Sequence, residues 1–107
     1  MLFFGTMFLY QLQFYSSMSI KRTDPDFIRI RKGVIKKLHS LDKWTSNHLL
    51  IKNLESGFPS HEIGKVREVV KLLIKDRLLI SKPTKHGMAV SLNESMKKEI
   101  MFIRGNF

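Results

Sequence analysis

Apolar residues recur at helical spacing directly after Asp24-Pro25. Asp can cap a helix and Pro is tolerated in its first turn, so this pair marks a helix start. Five apolar residues then follow at steps of three and four, on one helical face: Phe27, Ile30, Val34, Leu38 and Leu41. The pattern predicts a first helix over about 25–42, with Gly33 weakening its centre.

Two more apolar segments predict a pair of helices joined by a turn. The first follows the capping residues Thr45-Ser46-Asn47, carries Leu49, Leu50, Ile51 and Leu54, and ends near Glu55. The breaker Ser56–Pro59 contains Gly57, able to take a left-handed conformation, and Pro59, which cannot continue a helix. Ser60 is expected to cap a third helix that ends around Asp76-Arg77. Its apolar face consists of Ile63, Val66, Val70, Leu73 and Ile74.

The apolar period then changes from helix to strand. Residues 78–84 predict a strand with an edge marked by Pro83, residues 85–87 a turn, and residues 88–92 a second strand. Asn93 is expected to cap a last helix that carries Met96, Ile100, Met101 and Ile103. The predicted fold class is mainly α with a small β-hairpin (α+β), in the order helix, helix, helix, hairpin, helix.

One segment carries a family resemblance. Lys75-Asp76-Arg77-Leu78-Leu79-Ile80 is similar to the junction between the third helix and the wing of winged-helix domains, where a charged pair ends the helix and an apolar strand begins. Lys82–Gly87 would form the wing, and Val90–Asn93 would lead out of it. Over about 25–103 the pattern resembles small archaeal winged helix-turn-helix DNA-binding proteins. Winged helices often carry a short strand between helices 1 and 2; here Trp44-Thr45 is at most a stub.

Composition points to a polyanionic partner. The 107 residues hold 19 Lys+Arg and nine Asp+Glu, a formal net charge of +10. A small domain with this excess attracts polyanions. The chain has no cysteine, which excludes disulfides and thiolate zinc sites and leaves nothing that demands an oxidising compartment. We expect a cytoplasmic protein with one domain over 21–107.

Residues 1–20 differ from the rest because they carry no charge. The segment lacks the basic start of a signal peptide, and its apolar run is too short for a membrane span. Three interpretations stay open for residues 1–17: a start-site artefact with translation beginning at Met18, a membrane or partner anchor, or an extra element packed on the domain.

The third helix supplies the first candidate DNA contacts, since the second helix of a helix-turn-helix lies in the major groove. Arg67 lies nearer the buried side of the helical wheel. Glu68 could accept from a cytosine amino group or pair with Lys71 or Lys65. The alternative for the whole set is an ordinary solvated face. The candidates are Ser60, His61, Gly64, Lys65, Glu68 and Lys71.

Two further groups are candidates for contacts to the DNA backbone. Lys82, Lys85 and His86 of the wing could follow phosphates or enter a narrow minor groove, or Lys and Pro could simply protect an edge strand. Residues at the start of the second helix suit a phosphate, or merely cap that helix. The latter residues are Thr45, Ser46, Asn47 and His48.

No catalytic set stands out, since the four histidines are scattered and the glycines are isolated. We expect no enzyme activity, metal, cofactor or small-molecule substrate, and membrane contact only through residues 1–17. Trp44, Phe27 and Phe58 are expected in the core rather than as stacking platforms.

The preferred partner is duplex DNA, with a role in transcription regulation. The alternatives are an RNA-binding, ribosome-associated module, and a protein-interaction module that forms a homodimer through the last helix. Ordinary packing of that helix against the first is the preferred explanation of its apolar stripe.

Overall fold

The computed structural model describes residues 20–105, which form a mixed α+β structure. The interpretations of residues 1–17 therefore lie outside the described residues. The helices are α1 (Pro25–Ser40), α2 (Ile51–Glu55), α3 (Ile63–Lys75) and α4 (Lys97–Arg104). The strands are β1 (Leu49–Leu50), β2 (Leu79–Thr84) and β3 (Gly87–Leu92). Single 3-10 turns at Ser60–Glu62 and Glu94–Met96 precede α3 and α4.

The start of α1 matches the prediction. The Asp24 carboxylate accepts a hydrogen bond from the backbone N–H of Asp26 at 2.8 Å, and Pro25 is the first helical residue. The glycine in the middle of α1 has a packing reason. A Cβ at Gly33 would lie 3.2 Å from the ring of Phe58, so the missing side chain lets this ring approach the helix.

The predicted second helix is shorter in the structure, because its first apolar residues form hydrogen bonds with a distant strand. Leu49 and Leu50 pair with Val90 and Ala89 of β3, and only residues 51–55 are helical. The helix start predicted at Thr45-Ser46-Asn47 is therefore wrong. Three consecutive apolar residues fit a strand or a buried helix equally well, and here β3 supplies the backbone partners.

The three strands that residues 20–105 contain form one antiparallel sheet in the order β1-β3-β2. β2 and β3 make the predicted hairpin, with Leu79 opposite Leu92 at one end and Thr84 opposite Gly87 at the turn. The short strand between α1 and α2 is β1, five residues later than the stub considered at Trp44-Thr45. Trp44 itself makes only an isolated bridge to Leu92.

The bounds of α3 differ from the prediction at its start. Ser60 does not cap the helix: it opens the 3-10 turn, and no side chain caps α3, which begins at Ile63. The left-handed residue expected at Gly57 is also absent, because only Gly87 and Gly105 have a positive φ among the described glycines. Asn93 does accept from the N–H of Ser95 at 3.2 Å, but it caps the 3-10 turn that precedes α4.

One apolar cluster surrounds α1. Phe27, Ile30, Val34, Ile35 and Leu38 are completely buried there. α4 packs against α1 through the completely buried Ile100, with Met96 and Ile103 half-buried beside it. Most of the apolar stripe of the last helix is thus used inside the fold. Trp44 and Phe58 are half-buried and pack on the same cluster, as expected for core residues.

Within residues 20–105, no helix combines the length and the apolar character that crossing a bilayer requires.

Candidate functional site

The start of α3 is exposed, as the sequence predicts, but it is tied to α1. Ser60, His61, Gly64 and Lys65 are all exposed. The ammonium of Lys65 donates to the Asp26 carboxylate of α1 at 2.6 Å, and Arg29 of α1 pairs with Glu62. We call these four charged residues, together with the Arg22–Asp76 pair at 2.7 Å, the α1–α3 seam.

The Lys65 ammonium is paired with Asp26, and the pairing shifts the pKa of both groups. Its hydrogen bond and charge lower the pKa of the Asp26 carboxyl, with a smaller contribution from Arg29. In return, Asp26 raises the pKa of Lys65, and Asp24 and Glu62 add to the effect from a greater distance. Lys65, one of the candidate DNA contacts, is thus paired with a carboxylate of α1.

The position of Arg67 corrects the sequence prediction. Its side chain is 62% exposed rather than turned toward the core, and its Nε donates to the Glu55 carboxylate at 2.6 Å. Glu55, at the end of α2, is buried with only 9% of its side chain exposed. This carboxylate raises the pKa of Arg67 and fixes the guanidinium beside α2.

Glu68 is half-buried and makes one of the two ion pairs considered for it. The Lys71 ammonium lies 4.0 Å from its carboxylate, one helical turn along α3. Lys65 instead bonds to Asp26. Gly64 faces open space, since a Cβ there would meet nothing within 4 Å.

α2, α3 and the hairpin enclose a groove of about 600 Å³, which we call the α3–hairpin groove. Its apolar lining comes from all three elements and from β1: Leu50, Ile51, Val70, Ile74 and Met88. Its charged and titratable lining consists of Lys52, Glu55, Arg67, Lys71 and His86. The fold therefore brings two cations of α3, one of α2 and the imidazole of the hairpin turn to one concavity.

The three hairpin candidates do not share one position. Lys85 and His86 form the two-residue turn, where the Thr84 hydroxyl donates to the carbonyl of Gly87 at 2.6 Å. Gly87 has φ +124°, which a side chain would strain. His86 lines the groove together with Ser81. Lys82 follows Ser81 directly, so strand alternation turns it to the opposite face of β2.

The predicted phosphate contacts at Thr45–His48 lie elsewhere. Thr45 donates its N–H to the carbonyl of Leu92 at 2.9 Å, at the end of β3 opposite the hairpin turn. That end is roughly 17 Å along the strand from the turn. The Asn47 amide donates to the Asp42 carbonyl at 2.9 Å and accepts from Lys43 at 3.2 Å. Ser46 is exposed and His48 half-buried in the same loop. This loop precedes a strand, so it offers no helix N-terminus to a phosphate.

Two groove residues on α2 and α3 were missed or misplaced by the sequence analysis. Lys52 received no role, although it lies in the segment predicted as the second helix. Arg67 could have been found from spacing alone, since it lies three residues after the exposed Gly64 and four before the exposed Lys71. These three residues, together with Lys75, form the exposed face of α3.

Within the part of the chain that the structure describes, no group of three or more His, Cys, Asp or Glu residues could hold a metal ion. Comparisons of this chain with protein-family models, with curated proteins and with solved structures found no match.

Proposed function

We propose that this chain is a winged-helix protein that binds double-stranded DNA and regulates transcription. α3 is the helix that enters the major groove, and β2–β3 is the wing. The observation that carries the proposal is that Arg67 and Lys71 of α3 and His86 of the hairpin line one groove. A DNA backbone that crosses this face would meet the cations of α3 and, at the hairpin turn, the ammonium of Lys85.

The sheet supports the winged-helix part of the proposal. β1 lies between α1 and α2 and pairs with β3, which joins the hairpin to the helices. A short strand at this place in the chain is the feature that the sequence analysis missed in its comparison with winged helices. The order is then helix, strand, two helices, two hairpin strands and a last helix.

The exposed face of α3 suits a major groove. Gly64, Arg67, Lys71 and Lys75 follow one another at steps of three and four residues and are all exposed. B-DNA has a major groove about 12 Å wide, which admits one helix. Lys65 is exposed beside this face and pairs with Asp26 of α1.

The mechanism is counterion release at the phosphates combined with insertion of α3. Lys and Arg side chains that replace condensed cations gain affinity that depends on salt and not on sequence. Arg67 is the residue suited to reading a base, because a guanidinium can bond to both acceptors on the edge of a guanine. Its bond to Glu55 limits its rotamers before DNA arrives.

Charge reversal in the full chain tests this proposal. Binding to a labelled duplex of about 20 base pairs would be titrated for Lys71→Glu and Lys85→Glu, with Lys98→Glu as the control. Lys98 is an exposed cation of α4 that borders Arg31 and Phe102 and not the α3–hairpin groove. We expect the α3 variant Lys71→Glu and the hairpin-turn variant Lys85→Glu to weaken binding about tenfold or more and the control to bind like the parent. Equal loss in all three variants would contradict a DNA face at α3 and the hairpin.

The same titration with a structured RNA distinguishes the alternative partner. Duplex DNA should bind more tightly, because α3 reaches base edges in a wide major groove, whereas the major groove of RNA is deep and narrow. Tighter binding to RNA by the parent chain would replace the DNA proposal with the RNA-binding one.

A further inference from the structure

We propose that the α3–hairpin groove binds a small amphipathic acid, a molecule with one carboxylate and an apolar tail or ring system. This inference goes beyond DNA binding and stands on the groove alone. The groove occupies about 600 Å³ between α2, α3 and the hairpin, within the range of roughly 300–1,000 Å³ typical of small-molecule pockets.

The apolar residues that line the groove are the reason for proposing an apolar part of the ligand. Leu50, Ile51 and Ile74 are only half-buried, and Met88 is 46% exposed. They surround Val70, which the core already covers. Phosphate contacts at the lining cations would leave these apolar side chains exposed to water. An apolar tail lying on these side chains removes them from water.

The charged residues that line the groove are the reason for proposing a carboxylate on the ligand. Lys52, Arg67 and Lys71 bring three positive charges to the lining, from α2 and α3, and His86 adds a titratable group from the hairpin. The one carboxylate of the lining, Glu55, already accepts two hydrogen bonds from Arg67, at 2.6 and 3.3 Å. The lining therefore keeps a net positive charge that a carboxylate would neutralise.

The size of the groove favours a small molecule over a helical peptide. An α-helix with its side chains is about 10–12 Å wide and rises 5.4 Å per turn, so one turn occupies roughly 400–600 Å³. The groove would hold about one such turn, too little for the anchors at several turns by which grooves capture helices.

A ligand in this groove would lie between α3 and the hairpin. If DNA binds there as proposed above, the acid and DNA compete, and the acid acts as an effector. The ligand site itself does not depend on that outcome.

The test is a titration of the full ¹⁵N-labelled chain with decanoate, followed by amide chemical shifts in the absence of DNA. Decan-1-ol, with the same tail and no charge, is the ligand control. Met88→Asp places a negative charge in the groove, and Leu41→Asp is its matched control, because Leu41 is exposed to 45% and does not line the groove. Lys52→Glu is a second groove variant. The spectra of the variants also report whether each one is folded.

We expect saturable shifts at the groove amides, a loss of affinity of about tenfold in Met88→Asp and Lys52→Glu, and parent affinity in Leu41→Asp. Decanol should bind at least about tenfold more weakly than decanoate. No saturable shift up to about 1 mM decanoate would overturn the proposal, as would equal affinity for the two ligands or equal loss in Leu41→Asp. Since no DNA is present, failure here leaves the DNA proposal standing, and failure of DNA binding leaves this site standing.

Discussion

Arg77 adopts a backbone conformation that normally belongs to glycine. It follows the end of α3 with φ 64°. Its N–H donates to the carbonyl of Ile74, and the next N–H, of Leu78, donates to the carbonyl of Leu73, both at 3.0 Å. These are the two hydrogen bonds of a Schellman motif. The turn is needed to direct the chain from α3 into β2, and a non-glycine side chain there strains the backbone.

We therefore expect Arg77→Gly to stabilise the protein by about 1 kcal/mol, since glycine relieves the left-handed strain. Urea unfolding followed by circular dichroism measures the difference. The reciprocal control is Gly105→Arg at the end of α4, where φ is +80°. That change should be destabilising. A lower stability in Arg77→Gly would show that the arginine side chain contributes more than the backbone strain removes.

A substitution at Gly64 is expected to have opposite effects on stability and on DNA binding. A Cβ would meet nothing there, so Gly64→Ala should stabilise the first turn of α3 by roughly 0.5–1 kcal/mol. If α3 approaches DNA as proposed, the added methyl group meets the duplex and weakens binding. Unfolding and duplex titration of the same variant check both effects. Unchanged or tighter DNA binding would remove Gly64 from the contact surface.

The Asp26–Lys65 pair predicts a pH dependence. Because Lys65 lowers the pKa of Asp26 from its usual 3.8, the stabilisation is complete above pH 4 or so and is lost as pH falls through the folded pKa. The raised pKa of Lys65 has the opposite sense: its contribution is present below pH 10.5 and is lost at higher pH. Asp26→Asn should flatten the acid limb of the urea midpoint against pH. An acid limb that stays as steep as in the parent would contradict this role of the pair.

At the scale of elements, the sequence predicted those that local patterns determine. α1 has a capping residue, a proline and five apolar positions on one face, and the structure ends it two residues before the prediction. The hairpin could be predicted from its turn residues and from the alternation of its strand residues with a period of two. β1 could not be predicted, because Leu49 and Leu50 are strand residues only through hydrogen bonds to Val90 and Ala89, about 40 residues away.

The hairpin turn gives a prediction about individual lysines. Lys85 lies in the turn, whereas strand alternation turns Lys82 away from the groove face. Lys85→Gln should reduce the slope of log affinity against log salt by about 1, the loss of one phosphate contact. Lys82→Gln serves as the matched control and should leave the slope unchanged. A larger effect at Lys82 would mean that DNA approaches the other face of the hairpin.

At the scale of the whole molecule, the sequence predicted the exposure of several candidate residues but not their partners. Exposure followed from helical periodicity for Gly64, Lys65 and Lys71. The sequence could not indicate that Lys65 would form an ion pair with Asp26, because the two residues are 39 positions apart in the chain. For the same reason it assigned phosphates to the Thr45 loop, which the sheet places at the end of β3 away from the turn. Local pattern predicted the exposure of Gly64, Lys65 and Lys71 but not of Arg67, and tertiary contacts decide which residues act together.

The net charge gives the proposed function a quantitative signature. If about five cationic side chains replace counterions on the phosphates, log affinity for duplex DNA should fall with log salt at a slope near −4 or −5. A titration of the full chain against one labelled duplex, from about 50 to 200 mM salt, is the most direct measurement. A slope in that range supports phosphate contacts by α3 and the hairpin turn. Binding that is absent at the lowest salt, or that does not change with salt, would contradict a DNA-binding function for this protein.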